Sequence, residues 1–193
     1  MEVESSQLAR WCMAKKKKLS TSEDGKKQLA TDEGQIDGLY DDPRGYVTFG
    51  IGHLVGKRRS FLIQGAQSDA TLKTKLGVKV LGGKKITYLP ASLHGKKDLD
   101  SIRDKAIDVA KSDYATRLHK KAYDKLTDIE KKGVDQKAEA AVKKETDLLA
   151  KTAKGVFGDD LKPFEETVNS QVTGLQLTQG EFDSLVSFTF NLG

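Results

Sequence analysis

Two carboxylic acids and one hydroxyl stand close together in the sequence. Glu33 precedes a glycine, Asp42 follows nine residues later, and Thr48 follows six residues after Asp42. Two carboxyl groups can cleave a glycosidic bond when one, kept protonated by an apolar environment, gives its proton to the leaving oxygen, while the other stays ionised and helps to orient a water molecule. The Thr48 hydroxyl could hold that water. The same residues are also compatible with purely structural roles, since Glu33 can end a helix and Asp42 can form a turn.

The residues around Asp42 and Thr48 predict a β-hairpin. Residues 39–40 and 46–49 contain the aromatic and β-branched residues that are typical of strands. Between them, residues 42–45 (Asp-Pro-Arg-Gly) have the order that a type I turn prefers. We therefore expect a small sheet whose turn carries acidic side chains.

The segment before the hairpin predicts a helix that ends near Glu33. Ser20 and Thr21 are candidate caps, and Glu23, three residues after Ser20, completes a capping box. The helix would lead through Leu29 to Glu33. Its end, beside a small sheet, would form a concave corner in which the two carboxyl groups and the hydroxyl can meet.

Composition excludes several classes of protein. The 193 residues carry a net charge of +5, from 33 basic and 28 acidic side chains, and the single cysteine excludes an internal disulfide. No run approaches the roughly 18 apolar residues of a membrane span. The first 20 residues lack the apolar centre of a secretory signal. The basic balance suits anionic partners but is more typical of a lysine-rich protein kept in solution, so we expect no specific nucleic-acid partner.

Metal and dinucleotide sites are not expected. His53, His94 and His119 are scattered, and no cysteine or histidine stands at the spacing of metal ligands. Residues 50–52 (Gly-Ile-Gly) lack the third glycine and the following helix of a dinucleotide loop. The sequence therefore predicts no cofactor.

The middle of the chain is long and rich in lysine. Residues 78–89 predict a second hairpin that turns at Gly82-Gly83. Apolar residues recur at spacings of three and four in 99–110 and again in 114–129, which predicts two amphipathic helices. We expect breaks at Gly133 and Gly155, and we interpret the dense mixed charge of this region as a solvated face without a chemical site.

The last 17 residues are the most apolar of the chain. Thr178 and Glu181 form a capping box, so a helix should begin near Gln179. Apolar residues lie on nearly all its sides, which predicts a buried helix. Gly193 would be the C′ residue after its last turn.

Two motifs resemble those of one known family. The first is Glu33-Gly34, a tyrosine before Asp42, and then Gly-Tyr-x-Thr-x-Gly-x-Gly-His over residues 45–53. The second is Leu-Thr-x-x-x-Phe-Asp-x-Leu-Val-Ser-Phe-x-Phe-Asn-x-Gly over residues 177–193. Together they are similar to the phage-type (T4-like) lysozymes, the muramidases of glycoside hydrolase family 24. The resemblance implies an α+β fold, mostly helical, with a small antiparallel β-hairpin sheet between lobes.

The resemblance also implies an activity. It is hydrolysis of the β-1,4 bond between N-acetylmuramic acid and N-acetylglucosamine in bacterial peptidoglycan, by an inverting route and without a cofactor. Glu33 would be the general acid, Asp42 the second carboxylate and Thr48 the hydroxyl that positions water. An inverting route predicts that the two carboxyl groups stand about 6.5–9.5 Å apart.

Further roles follow from the same resemblance. His53 would be structural and paired with a carboxylate. The residues that border the saccharide cleft would be Leu54, Phe190 and Asn191.

The resemblance divides one lysozyme-like domain into four segments. They are an N-terminal extension and helix (1–32), the catalytic hairpin region (33–55), a lysine-rich, partly helical insertion (56–165) and a core helix of the second lobe (166–193). Family members continue past the last motif with further helices. We therefore expect the second lobe to be truncated here.

Three hypotheses about function remain open at this stage. The first is an active muramidase, either an endolysin or a lysozyme of a phage tail or injection device, whose insertion could dock on other device proteins. The second is a weak or inactive lysozyme-like component that binds the cell wall or has a structural role. The third, which rests on charge alone, is a basic nucleic-acid-binding module. We expect an active muramidase to be made in a host cytoplasm and to act in the periplasm or cell wall. It would arrive there after release by a holin or as part of a virion.

Overall fold

The computed structural model describes residues 18–173 and 175–192, and the predicted C′ residue Gly193 lies outside this part. The described residues form an α+β structure with seven α-helices and one five-stranded antiparallel sheet. They fall into two compact units, one of residues 27–160 and one that combines the residues up to Lys26 with those from Leu161 onward. In chain order the elements are α1 (Glu23–Glu33), β1 (Ile36–Asp41), β2 (Val47–Gly50), β3 (His53–Gly56), α2 (Phe61–Gln67), α3 (Ala70–Lys73), β4 (Gly77–Leu81), β5 (Lys84–Pro90), α4 (Lys97–His119), α5 (Asp128–Leu149), α6 (Ala153–Gln171) and α7 (Gln179–Leu192), with short 3-10 turns at Ala91–Leu93 and Tyr123–Lys125.

Both predicted hairpins are confirmed, and they belong to one sheet. The strand order is β3-β2-β1-β5-β4, so β1 of the first hairpin pairs with β5 of the second. The second hairpin turns at Gly82-Gly83, where both residues have positive φ. Strand β3, which the sequence did not predict, extends the sheet on the other side.

Helices α2, α4 and α5 pack around the main core of the larger unit. Phe49, Leu89 and Ile102 are among its fully buried side chains. A Cβ atom on Gly65 of α2 would lie 2.6 Å from the backbone nitrogen of Ala106, so only glycine allows α2 and α4 to approach this closely.

The predicted helix boundaries in the charged region were partly wrong. Helix α4 runs without a break to His119 and ends where Lys120 takes a left-handed conformation (φ 55°). The predicted helix over 114–129 is therefore divided, and a capping box of Thr127 and Glu130 starts α5. Gly133 lies inside α5 and Gly155 inside α6, because one glycine costs a helix only about 1 kcal/mol.

In the smaller unit, Ser22 rather than Ser20 or Thr21 caps α1. Its Oγ accepts the backbone N–H of Gly25 at 3.0 Å, while its own N–H and hydroxyl donate to the carboxylate of Asp183 at 3.0 and 2.5 Å. The capping partner was misassigned because Asp183, 161 residues away, fixes Ser22 in place.

Helix α7 begins at Gln179 behind its predicted capping box, in which Thr178 N–H donates to Glu181 Oε2 at 2.8 Å. Its predicted full burial was wrong. Phe182 and Val186 are buried, but Phe188 is 63% exposed and Leu192 is 70% exposed. A helix buries only the face that another element covers, so apolar composition alone overestimated burial.

Candidate functional site

Asp42 begins the turn of the first hairpin, and backbone amides hold its carboxylate. Oδ1 accepts the N–H of Arg44 and that of Tyr46, both at 2.8 Å. The turn is closed by Gly45 N–H, which donates to the Asp42 carbonyl at 2.8 Å, with Gly45 at φ 79°. Within residues 27–160, no group bonds to Oδ2 of Asp42. Oδ1 is thus fixed by the backbone, and Oδ2 can accept a hydrogen bond from a ligand.

Thr48 lies in β2 on the same face of the sheet as Asp42. It is directly opposite Tyr40 in β1 and opposite Leu54 in β3. Asp42 is two residues after Tyr40, and side chains two apart on a strand share a face. Thr48 is 4% exposed, and its hydroxyl donates to the Tyr46 carbonyl at 3.1 Å. Since the hydroxyl proton is used, its oxygen can still accept a hydrogen bond.

Glu33 reaches this corner from the last position of α1. Its side chain is half-buried, and a Cβ atom on Gly52, in the β2–β3 turn, would lie 3.5 Å from its Oε2. Gly52 has φ 69°, a conformation that suits glycine. Among the described residues of the larger unit, none forms a hydrogen bond or ion pair with the Glu33 carboxylate. This acid is therefore placed near the sheet without a fixed partner.

Tyr40 is a buried tyrosine near both carboxylates, and the sequence assigned it no role. Burial raises the pKa of its hydroxyl to about 12, partly opposed by a hydrogen bond with the Gly52 backbone, while the negative charges of Asp42 and Glu33 raise it further. The hydroxyl is therefore within electrostatic range of both acids. Its place before Asp42 in the motif was visible, but its contact with the β2–β3 turn depends on the fold.

His53 follows this turn and lies beside Asp160. Its Nδ1 stands 2.9 Å from both carboxylate oxygens of Asp160, and both side chains are partly buried. Nearby, a Cβ atom on Gly50 would lie 2.9 Å from the Cβ of Ala153, so the turn packs closely on the start of α6. These contacts join the β2–β3 turn to α6.

Behind the hairpin, Asp41 bonds to the segment that precedes α2. Its Oδ1 accepts Ser60 N–H at 2.7 Å and its Oδ2 accepts the Arg59 Nε–H at 3.1 Å. Burial raises the pKa of the Asp41 carboxyl, and these two donors partly oppose the rise. Asp41 is thus committed to structure, while its neighbour Asp42 faces the candidate site.

Glu145 of α5 is the buried acid of this network, and it corrects our interpretation of the charged helices as wholly solvated. Its side chain is fully buried, with hydrogen bonds from the Ser60 hydroxyl (2.8 Å) and the backbone amides of Phe61 (3.2 Å) and Leu62 (3.0 Å). Arg58 donates to it at 2.6 Å. An acid at a helix N-terminus is favoured by the unpaired amides there, so Glu145 secures the start of α2.

The remaining predicted residues are divided between the two units. Leu54 in β3 is 48% exposed and lies in the same row as Thr48. Phe190 and Asn191 lie in α7 of the smaller unit, where the Phe190 ring meets that of Phe164 edge-on at 5.2 Å. The structure thus brings Glu33, Asp42 and Thr48 to one corner of the larger unit, with Leu54 nearby.

Residues 18–173 and 175–192 offer no cluster of metal ligands and no helix suited to crossing a membrane. No group of three or more His, Cys, Asp or Glu side chains in this part could hold a metal ion. No helix in it has the length and apolarity needed to cross a membrane.

Comparison with known proteins gives one finding. Residues 115–193 match the family model described as phage lysozyme. The matched range contains the motif of residues 177–193 and does not contain the hairpin of residues 33–55. No curated protein and no solved structure matches the chain.

Proposed function

We propose that the chain is a muramidase, because residues 115–193 match the phage lysozyme family model. The family consists of glycoside hydrolases of peptidoglycan. We propose that the chain hydrolyses the β-1,4 linkage between N-acetylmuramic acid and N-acetylglucosamine. The observation that carries the proposal is the corner in which a free carboxylate, Glu33, faces a hairpin that presents Asp42 and Thr48 on one face.

Asp42 is the general base in this proposal. Its Oδ1 is held by two backbone amides, which fixes the plane of the carboxylate. Oδ2 then accepts a proton from the attacking water. A general base must be held within hydrogen-bond reach of the proton that it takes, and the turn provides that rigidity.

Thr48 positions the same water. Its hydroxyl proton is bonded to the Tyr46 carbonyl, so its oxygen accepts one hydrogen of the water while Asp42 accepts the other. The lone pair of the water then points away from both groups, toward the anomeric carbon. This is the geometry of a single displacement from one face of the sugar.

Glu33 is the general acid. Its proton goes to the glycosidic oxygen as the bond between that oxygen and the anomeric carbon breaks, and the water oxygen bonds to the same carbon. A bound saccharide would exclude water from the half-buried carboxyl, and loss of water favours a neutral, proton-donating acid. The anomeric configuration is inverted, which requires about 6.5–9.5 Å between the two carboxyl groups.

The first test is digestion of purified peptidoglycan by the full chain and by its Glu33→Gln variant, with fragments identified by mass spectrometry. We expect fragments that end in reducing N-acetylmuramic acid, and their loss in the variant. NMR early in the reaction should detect the α-anomer first. Glu139→Gln, an exposed residue of α5, is the matched control and should keep full activity.

Two results would contradict this proposal. A folded wild-type chain that releases no fragments would favour a scaffold that binds the wall without cleaving it. Activity that survives in the Glu33→Gln variant would remove the acid role.

We further propose that the muramidase belongs to a phage tail or injection device and reaches the cell wall or periplasm with it. The long charged segment supports this proposal, since α4 and α5 present a groove lined by Arg103, Glu139, Lys143 and Asp147, which suits a partner with mixed charge. Immunodetection in purified particles tests it. Detection only in the cell lysate at the time of lysis would instead indicate an endolysin that depends on a holin.

A further inference from the structure

A small cavity lies at the end of β1, next to Asp42. Its volume is about 260 Å³, and its walls are the turn of the first hairpin, the segment before α2, helix α2 itself through Ile63 and Gln67, and the start of β5. Its charged lining consists of Asp41, Asp42, Arg59, Lys84 and Lys85. The proposed catalysis uses only Asp42 of these residues.

The balance of charge in this cavity is positive. Three cations face two carboxylates, and Asp41 is already paired with Arg59 at 3.1 Å. Lys84 and Lys85 are exposed, and within residues 27–160 neither forms an ion pair. Two unpaired ammonium groups therefore stand in a concave site beside the proposed general base.

The strand register places one of these lysines on the catalytic face. Tyr40 of β1 is paired with Tyr88 of the antiparallel strand β5. Asp42 and Ile86 are each two residues from that pair, and Lys84, the first residue of β5, is two residues before Ile86. Because residues two apart share a face, Lys84 lies on the same side of the sheet as Asp42. Lys85 has the opposite orientation and lines the cavity from the side of the sheet that carries Asp41.

We propose that Lys84 and Lys85 bind a free carboxylate of the peptide stem that N-acetylmuramic acid carries in peptidoglycan. This inference rests on the proposed muramidase function, because it needs a muramic acid next to Asp42. The chemistry fits, since the stem leaves the sugar through an acidic peptide and lysine binds carboxylates as a point charge. A cavity of this size accepts the end of a side chain rather than a further sugar ring.

The site would distinguish substrates with stems from those without. We expect the Lys84→Gln/Lys85→Gln double variant to raise KM about tenfold for peptidoglycan that keeps its stems, with kcat within about twofold. On glycan strands from which an amidase has removed the stems, the double variant and the wild type should behave alike. The matched control, Lys96→Gln/Lys97→Gln, removes the same charge from an exposed lysine pair outside the cavity and should not change KM.

Rescue and folding controls make the result decisive. The Lys84→Arg/Lys85→Arg variant keeps both charges and should retain the low KM for substrate with stems. Both lysines are exposed next to the Gly82-Gly83 turn, so we expect the double variant to fold, which circular dichroism checks. An equal loss on both substrates, or no loss on either, overturns the inference.

A binding measurement separates this inference from the proposed function. Calorimetric titration of the full-length Glu33→Gln chain with soluble glycan strands that keep or lack their stems, at rising salt, should show salt-sensitive binding that needs both the stems and the two lysines. Failure of the wild type to cut either substrate, with this binding intact, would remove the muramidase and leave the carboxylate site. Cleavage of both substrates, with binding that ignores the lysines, would remove the site and leave the muramidase.

Discussion

Thr48 lies directly opposite Tyr40 across the first two strands, and both side chains are almost completely buried. This pair fixes the register of the hairpin. A shift of one residue would turn Thr48 and Asp42 to the opposite face of the sheet. The position of the candidate base therefore depends on a cross-strand contact as well as on its own turn.

The Asp42→Asn variant separates the charge of Asp42 from its structural role. The asparagine side-chain oxygen can still accept the amides of Arg44 and Tyr46, so the turn should form and the free energy of unfolding should change little. Loss of the base should lower kcat on peptidoglycan by about 10²–10⁴-fold. Asp37→Asn, at an exposed position of β1, is the control. Equal activity of the two variants would exclude Asp42 as the base.

The Thr48→Val variant tests the water site. Valine keeps the β-branched shape in this buried position but cannot accept a hydrogen bond from water. We expect kcat to fall about 10–100-fold, with KM nearly unchanged, because the nucleophile is misplaced while the saccharide still binds. Thr48→Ser should retain most of the activity. A change confined to KM would indicate that the hydroxyl contacts the sugar instead.

Local patterns in the sequence predicted much of the hairpin region. The turn at Asp42 and the Gly82-Gly83 turn were recognised because their chemistry involves neighbouring residues alone. The capping box of Thr178 and Glu181 was predicted for the same reason. These features are local, and the folded structure retains them.

The features that escaped prediction depend on distant partners. Ser22 caps α1 because Asp183 holds it, and Glu145 is buried because the start of α2 supplies its donors. Tyr40 contacts Gly52 only after β2 and β3 have turned back on β1. In α7, the sequence shows that Phe188 is apolar but not whether another element covers it. Burial and long-range hydrogen bonds follow from the fold rather than from sequence spacing.

Tyr40 predicts a pH dependence of stability in alkali. Its pKa is raised to about 12 in the folded chain, above the usual 10.0, so folding disfavours the ionised hydroxyl. The resulting contribution is complete below pH 10 and is lost as the pH rises toward 12; it amounts to about 2–3 kcal/mol. Denaturant unfolding should therefore show the wild type losing about 2–3 kcal/mol of stability relative to Tyr40→Phe, which has no hydroxyl to ionise, as the pH rises from 10 to 12. A stability difference that stays constant from pH 9 to 12 would contradict the assignment.

Glu145 predicts a large effect on stability from a residue outside the candidate site. Glu145→Gln keeps the shape but removes the charge that faces Arg58 and weakens the hydrogen bonds to Ser60 and the amides of α2. The buried Glu145 site would lose its charge-assisted hydrogen bonds and the half-buried Arg58 would lose its partner, so the free energy of unfolding should fall by about 2–3 kcal/mol. Glu139→Gln, exposed on the same helix, should change it by less than about 0.5 kcal/mol. Glu145 stabilises the fold and does not contact Asp42, so the Glu145 variant should lower peptidoglycan cleavage in proportion to the folded fraction. Ser60 nevertheless joins the two acids, because its N–H also donates to Asp41 at the end of β1. A stable variant with lost activity would instead show that the network acts on the geometry of Asp42 itself.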